Sequence, residues 1–251
     1  MSGHSKWSTI KRKKGKADQE RGRLFTRYTK EIAVAAREGG GDPDMNARLR
    51  TAINAAKAVN MPADNIKRSI LKGTGQLPGV SYESLTYEGY GPGGTAVFLE
   101  VMTDNRNRIV SEVRHLFSRY GGNLGENGSV AWMFHKRGVI QVEADKADEE
   151  TLMEAALEAG ADDFGRDGDT FEILTDPGSL EDVVTAIEAK GIAIASSEVT
   201  MLPQNTIRLD KESDASSMLK LMDALEENDD VQKVYANFDI DEALLERLAG
   251  E

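Results

Sequence analysis

The sequence predicts an α+β protein, in which a basic arm and a three-helix bundle precede two ferredoxin-like βαββαβ domains, one inserted into the other. Three observations predict it. Within the first 75 residues, apolar positions recur at helical spacing between glycine and proline stops. From Thr95 onward, strand and helix patterns alternate and spell βαββαβ twice, one copy inside the other. Charge divides the chain as well: residues 1–75 carry 17 Lys+Arg against 7 Asp+Glu (net +10), whereas residues 76–251 carry 14 against 36 (net −22).

Residues 1–17 hold too little apolar content to fold alone and read as an arm that orders on its partner. Phe25, Tyr28, Ile32 and Ala35 then predict a helix over 18–38, ended by Gly39-Gly40-Gly41. A second helix is expected to be capped by Asp42 with Pro43 at its first position, its inner stripe being Leu49, Ala52, Ile53, Ala56 and Val59. Pro62 opens a third, holding Ile66, Ile70 and Leu71 and stopped by Gly73.

The stretch YESLTYEGYGPGG reads as a structural loop. Its glycines Gly89, Gly91, Gly93 and Gly94 invite a phosphate-loop reading, but no Lys-Ser/Thr follows and an apolar strand comes next instead of a helix. The outer copy of the pattern comprises strand 95–103, helix 107–120, strand 129–135, strand 205–210, helix 214–227 and strand 231–238. The inner copy comprises strand 138–144, helix 148–159, strands near 161–165 and 169–175 joined at Asp167-Gly168, helix 179–190 and strand 192–201. The expected domains are therefore 1–78, a discontinuous 79–136 plus 204–251, and an inserted 137–203, with EALLERLAG as a terminal helix.

With 39% hydrophobic and 29% charged residues, 251 residues suffice for real cores. No stretch approaches eighteen apolar residues, so no membrane span is expected. The absence of cysteine excludes disulfides, thiolate catalysis and Cys-ligated zinc and fits a reducing, cytoplasmic setting.

In the arm, Lys11, Arg12, Lys13 and Lys14 are consecutive, flanked by Lys6 and Lys16 and followed by Arg21, Arg23, Arg27 and Lys30, with Trp7, Phe25 and Tyr28 interleaved. Cations meet phosphates through Coulomb attraction and counterion release, and an aromatic ring stacks on an unpaired base. This mixture points to a nucleic-acid partner, with Trp7 as the stacking residue. Asp18, Glu20 and Glu31 interrupt the run, unlike a transit peptide. Arg48, Arg50, Lys57, Lys67, Arg68 and Lys72 extend the positive surface or merely solvate the bundle. TDNRNR suggests a second surface through Arg106, Arg108 and Arg114, unless Asp104 simply caps the following helix.

The segments GHSKW, KRKKGKAD, RGRLFTRYTKEI, NARLRTAINAAKAVNMPADNIKRSI, YEGYGPGG, TDNRNR and GSVAWMF resemble the YebC/PmpR family over essentially the full length. That family includes the mitochondrial translational activator of cytochrome c oxidase. The resemblance implies a helical domain plus two α/β domains. It also implies either a DNA-binding transcriptional regulator or a ribosome-associated factor that assists translation.

No catalytic constellation stands out. His4, His115 and His135 lack metal-ligand spacing, no hydrolase nucleophile motif occurs, and ADDFGRDGD lacks the spacing and closing Glu of a calcium loop. The expectation is a non-enzymatic nucleic-acid-binding regulator without cofactor, its partner DNA or ribosomal RNA. A regulator that senses a small ligand through its ferredoxin-like domains is the alternative from another class.

Overall fold

The computed structural model describes Trp7 and residues 17–250. They divide into two compact units, a host unit of residues 7–131 and 207–250 and an inserted unit of residues 132–206.

The host unit begins with three helices, α1 (Ala17–Gly39), α2 (Ala47–Ala58) and α3 (Ala63–Gly73). Ile32, Ala35 and Ala36 of α1 bury against Leu49, Ala52, Ile53 and Ala56 of α2 and against Met61 and Ile66. Small residues let the helices approach closely: a Cβ on Gly73 would stand 2.3 Å from the carbonyl oxygen of Ala33. The second helix starts at Asn46 and not at Asp42-Pro43. The Asn46 carboxamide oxygen accepts from the Leu49 N–H (3.0 Å) while its NH₂ donates to the carbonyls of Ala35 and Gly40 (2.8 Å each). One side chain thus caps α2 and ties it to α1, and Asp42 closes only a turn by accepting from the Asp44 N–H.

The next elements are β1 (Glu83–Tyr90), β2 (Ala96–Thr103), α4 (Arg106–Arg119) and β3 (Asn123–Leu124). The inserted unit holds β4 (Phe134–Glu143), α5 (Glu149–Glu158), β5 (Ala161–Asp167), β6 (Thr170–Thr175), α6 (Leu180–Ala189) and β7 (Ser196–Pro203). The host resumes with β8 (Ile207–Arg208), α7 (Glu212–Glu227), β9 (Val231–Ala236), β10 (Phe238–Asp239) and α8 (Glu242–Gly250).

In the inserted unit the chain order is βαββαβ and the sheet order β5-β6-β4-β7, antiparallel throughout, which is the ferredoxin-like arrangement. Ile140, Val142, Phe171 and Ile173 pack under Leu152, Ala156, Val183 and Ile187 of its two helices.

The host sheet runs β3-β1-β2-β9, and here three sequence expectations are corrected. YESLTYEGYGPGG is not a loop throughout: residues 83–90 form β1, paired along its length with β2, and only Gly91–Thr95 turn. Gly93 (φ +71°) and Gly94 (φ +78°) supply the left-handed backbone of that turn. Residues 129–135 are not a host strand, because 131–133 form a 3₁₀ turn and Phe134 already opens β4 of the other sheet. The place between β2 and β3 is taken instead by β1, which a five-residue turn delivers directly to β2, so the host keeps the ferredoxin-like strand order with a different chain order. The expected strand 205–210 shrinks to β8, paired parallel to β10 outside the main sheet. Val97, Leu99 and Val101 of β2 meet Ile109, Val113 and Phe117 of α4 and Met218, Leu221 and Leu225 of α7 in the host core.

Candidate nucleic-acid interface

Lys6, Lys11, Arg12, Lys13, Lys14 and Lys16 lie outside the described residues, as does the side chain of Arg21. Trp7, Arg27 and Lys30 face inward, and Arg23 lies half-buried at the rim of the same contact. Arg23, Arg27 and Lys30 recur at i, i+4 and i+7, so α1 presents them on one face. That face meets the acidic end of α7. Arg23 pairs with Glu227 (3.6 Å), Arg27 donates to the carbonyl of Glu226, and Lys30 donates to the carbonyl of Asp229 (2.7 Å) and to the carboxylate of Asp230 (2.5 Å). Burial pushes the Arg27 pKa down despite the carboxylate of Glu226 nearby. Trp7 is 9% exposed, packs in the host core and donates its indole N–H to Asp223 (3.1 Å). In this arrangement its ring is not presented to a base.

Asp230 is the hub of this contact. Beside Lys30 it accepts from the Thr103 hydroxyl (2.8 Å) and from Arg108 (2.7 Å), which also pairs with Asp104 (2.7 Å). Burial alone would raise the carboxyl pKa, but the hydrogen bonds from Lys30, Arg108 and Thr103 outweigh it and hold the group below the ordinary carboxylate value. The same bonds keep Arg108 firmly charged. A cleft of about 420 Å³ opens beside the hub, lined by Thr26, Lys30, Tyr82, Asp104, Arg108 and Glu112 together with Asn228, Asp229 and Asp230. Of the proposed second surface, Arg106 and Arg114 are exposed, whereas Arg108 is committed to Asp104 and Asp230. Asn105, and not Asp104, caps α4 by accepting from the Arg108 N–H (3.0 Å).

Exposed cations of the helical segment include Arg37 on α1, which donates to the Ser81 hydroxyl (2.7 Å), and several on α2 and α3. Arg48 is held by Glu31 and Glu38, and Arg50, though exposed, donates to the carbonyls of Pro43 (2.9 Å) and Asp44 (3.3 Å); Lys57 on α2 and Lys67, Arg68 and Lys72 on α3 are exposed. Arg68 and Lys72 are one turn apart and share a face.

Two residues escaped the sequence reading. Glu88, 4% exposed, accepts the backbone N–H groups of Gly128 (2.6 Å), Val130 (2.7 Å) and Ala131 (2.7 Å), which hold its pKa low although burial works the other way. No local pattern announces a carboxylate whose donors stand forty positions away. Trp132 is 63% exposed in the 3₁₀ turn Ala131–Met133. Its setting inside the apolar run VAWMF suggests burial, so only the structure singles it out.

Among the described residues, no three His, Cys, Asp or Glu side chains gather as a metal site, and no helix is long and apolar enough to cross a membrane. His115 and His135 are exposed, and the latter contacts Gln204.

Comparison with known proteins completes the picture. A protein of Pelotomaculum thermopropionicum named "Probable transcriptional regulatory protein" is 58% identical over 96% of this chain and 100% of its own. Another of that name, from Syntrophobacter fumaroxidans, is 57% identical over 99% and 100%. The crystal structure of a conserved hypothetical protein, Aq1575, of Aquifex aeolicus superposes with a TM-score of 0.78 at 47% identity, covering 90% of this chain and 93% of that one. Residues 5–76 match the TACO1/YebC protein N-terminal domain and residues 82–238 the TACO1/YebC second and third domain. With both matches and full-length relatives above half identity, the chain belongs to the TACO1/YebC family.

Proposed function

We propose that the protein is a non-enzymatic regulator of gene expression that binds nucleic acid through its basic N-terminal residues and the exposed cations of α2 and α3. The observation that carries this reading is the division of charge. Lys6, Lys11, Arg12, Lys13, Lys14 and Lys16 stand with Arg50, Lys57, Lys67, Arg68 and Lys72 in the +10 part of a chain whose remainder carries −22. Such a body repels phosphates, so binding concentrates where the charge is positive. The names of the relatives support a regulatory role.

Arg23, Arg27 and Lys30 have internal partners and serve chiefly to dock α1 on the end of α7 and the residues that follow it, and Trp7 bonds Asp223 of α7. The test is a salt titration of binding with Lys11, Arg12, Lys13 and Lys14 replaced by Ala. The logarithmic slope should fall by up to about 3–4 units, at ~0.9 for each duplex phosphate that is no longer neutralised. An unchanged slope refutes the role of the arm. Run in parallel, scrambled duplex and structured ribosomal RNA separate the two regulatory settings. Discrimination against scrambled DNA by ~10³-fold or more marks a transcriptional repressor, and good competition by ribosomal RNA marks a translation factor.

A further inference from the structure

Helix α4 stands apart from the acidic body that carries it. It holds four of the fourteen Lys+Arg of residues 76–251, namely Arg106, Arg108, Arg114 and Arg119, and one of their thirty-six Asp+Glu, Glu112. Its inner face is fixed: Ile109, Val113 and Phe117 are fully buried in the host core, and the Asn105 cap holds the first turn. Helical geometry therefore sets what α4 turns outward.

At about 100° per residue, Asn107, Ser111, Arg114 and Ser118 fall within about 60° of one another and form one stripe. All four are exposed, and none of their side chains has a hydrogen bond or ion pair among the described residues. Glu112 stands about 160° around the helix from Arg114. It accepts from the Asn228 amide at the end of α7 (2.9 Å) and lies 3.9 Å from Arg108, which is itself committed to Asp104 and Asp230. The carboxylates that pair with this helix are thus gathered around Arg108 and Glu112, away from the stripe. Exposed Arg106 and Arg119 stand at the two ends of the helix, the latter over the Tyr120 ring (5.6 Å).

The chemistry of the stripe selects its partner. A protein surface would call for an apolar centre and a membrane for an apolar outer face, but the apolar residues of α4 are buried or half-buried on its inner side. Single strands call for a ring to stack on, and the stripe holds none. A-form RNA keeps its major groove too narrow for side chains to read, whereas the B-form groove, about 12 Å wide, admits an α-helix. Within that groove arginine meets guanine and asparagine meets adenine through two hydrogen bonds each, and serine serves several bases. We propose that α4 lies in the major groove of duplex DNA, with Asn107, Ser111, Arg114 and Ser118 offered to base edges and Arg106 and Arg119 to the phosphates at either end. This contact adds sequence reading to charge-driven binding; it rests on the reading of the protein as nucleic-acid-binding, but not on the basic arm.

The test uses the full chain and a pool of 20-base-pair DNA duplexes with a randomised centre, taken through rounds of selection. The enriched duplex, a scrambled duplex and an RNA hairpin are then compared by anisotropy. Wild type should enrich a short motif that contains guanine and bind it at least tenfold more tightly than the scrambled duplex. Arg114→Ala and Asn107→Ala should each lower that ratio at least fivefold, leave binding of the scrambled duplex within about threefold, and keep the melting temperature, since both side chains are exposed. Arg106→Ala with Arg119→Ala should instead weaken both duplexes alike and lower the salt slope by up to about 1.8 units, at ~0.9 for each phosphate. Replacing Lys11, Arg12, Lys13 and Lys14 by Ala should weaken binding to every duplex yet preserve the ratio. A pool that is bound through those basic residues but yields no motif would sink the α4 contact alone. An unchanged ratio in Arg114→Ala and Asn107→Ala, or an RNA hairpin that competes as well as the enriched duplex, would equally overturn it.

Discussion

Replacing Asp230 by Ala should be among the most damaging single changes in the host unit. The residue is 6% exposed and its carboxylate receives donors from Lys30, Thr103 and Arg108. Its removal leaves the ammonium of Lys30, a residue only 5% exposed, with the carbonyl of Asp229 and the face of the Tyr82 ring but no carboxylate, while Arg108 retains Asp104. Breaking a buried ion pair from one side costs about 3–5 kcal/mol. The adjoining cleft of about 420 Å³ brings water to the rim of the hub and places the expected cost at the lower end, about 3 kcal/mol. Lys30→Met should cost less, since Asp230 then keeps Arg108 and Thr103. Combined with Asp230→Asn it should show a coupling of roughly 1–3 kcal/mol in a double-mutant cycle. Urea unfolding followed by the emission of Trp7, in a Trp132→Phe background, reads the host unit alone. A cost under about 1 kcal/mol for Asp230→Ala, or no coupling, would refute the reasoning and leave α1 held by apolar packing only.

Glu88→Gln should destabilise the host by about 1.5–3 kcal/mol and speed amide exchange at Gly128, Val130 and Ala131, because a neutral amide accepts these N–H groups less strongly. Asp230 and Glu88 both have lowered pKa values, so each contributes stability that is complete above the ordinary carboxylate range and disappears as pH falls through the folded-state value. Acid titration of stability should accordingly be flatter below about pH 4 in Asp230→Asn and Glu88→Gln than in wild type, as followed by circular dichroism. Gly73→Ala should cost about 1–3 kcal/mol in a thermal melt, since the added methyl meets the backbone of Ala33. The excised segment 132–206, with its own core and complete βαββαβ order, should show mixed α/β circular dichroism and a cooperative melt.

The α+β class, the helices and the inserted βαββαβ pattern were legible because each rests on periodic apolar positions or strong stops, such as the Leu49-Ile53-Ala56 stripe and the Asp167-Gly168 turn. What stayed hidden involves distant partners. β1 reads as loop because Glu83, Ser84, Glu88 and Gly89 dilute its strand-favouring Thr86, Tyr87 and Tyr90 and a glycine-rich turn follows, and β2 hydrogen-bonds it from Tyr90↔Ala96 to Glu83↔Thr103. Asn46 outcompetes Asp42 as a cap because it also bonds α1, which no local rule weighs. Lys30, Arg27 and Trp7 look like arm residues by position, yet their partners Asp230, Glu226 and Asp223 lie at the other end of the chain.

The pairing of Phe134 with Pro203 has a consequence for how the chain folds. β2 finds its edge partner only across the inserted segment, Val97 lying opposite Ala236, so the host core stays incomplete until α7 and β9 have been synthesised. By then the inserted unit has all its strands and helices, and its folding holds the two crossing points of the chain side by side, about 5 Å apart. A long flexible excursion becomes a short staple. With closure entropy growing as (3/2)RT ln n, roughly halving the loop between Val97 and Ala236 lowers the entropic barrier to host closure by about 0.6 kcal/mol. The insertion therefore acts as an entropic clip on its host, and substitutions that slow the folding of residues 132–206 should delay formation of the host sheet without touching any of its contacts.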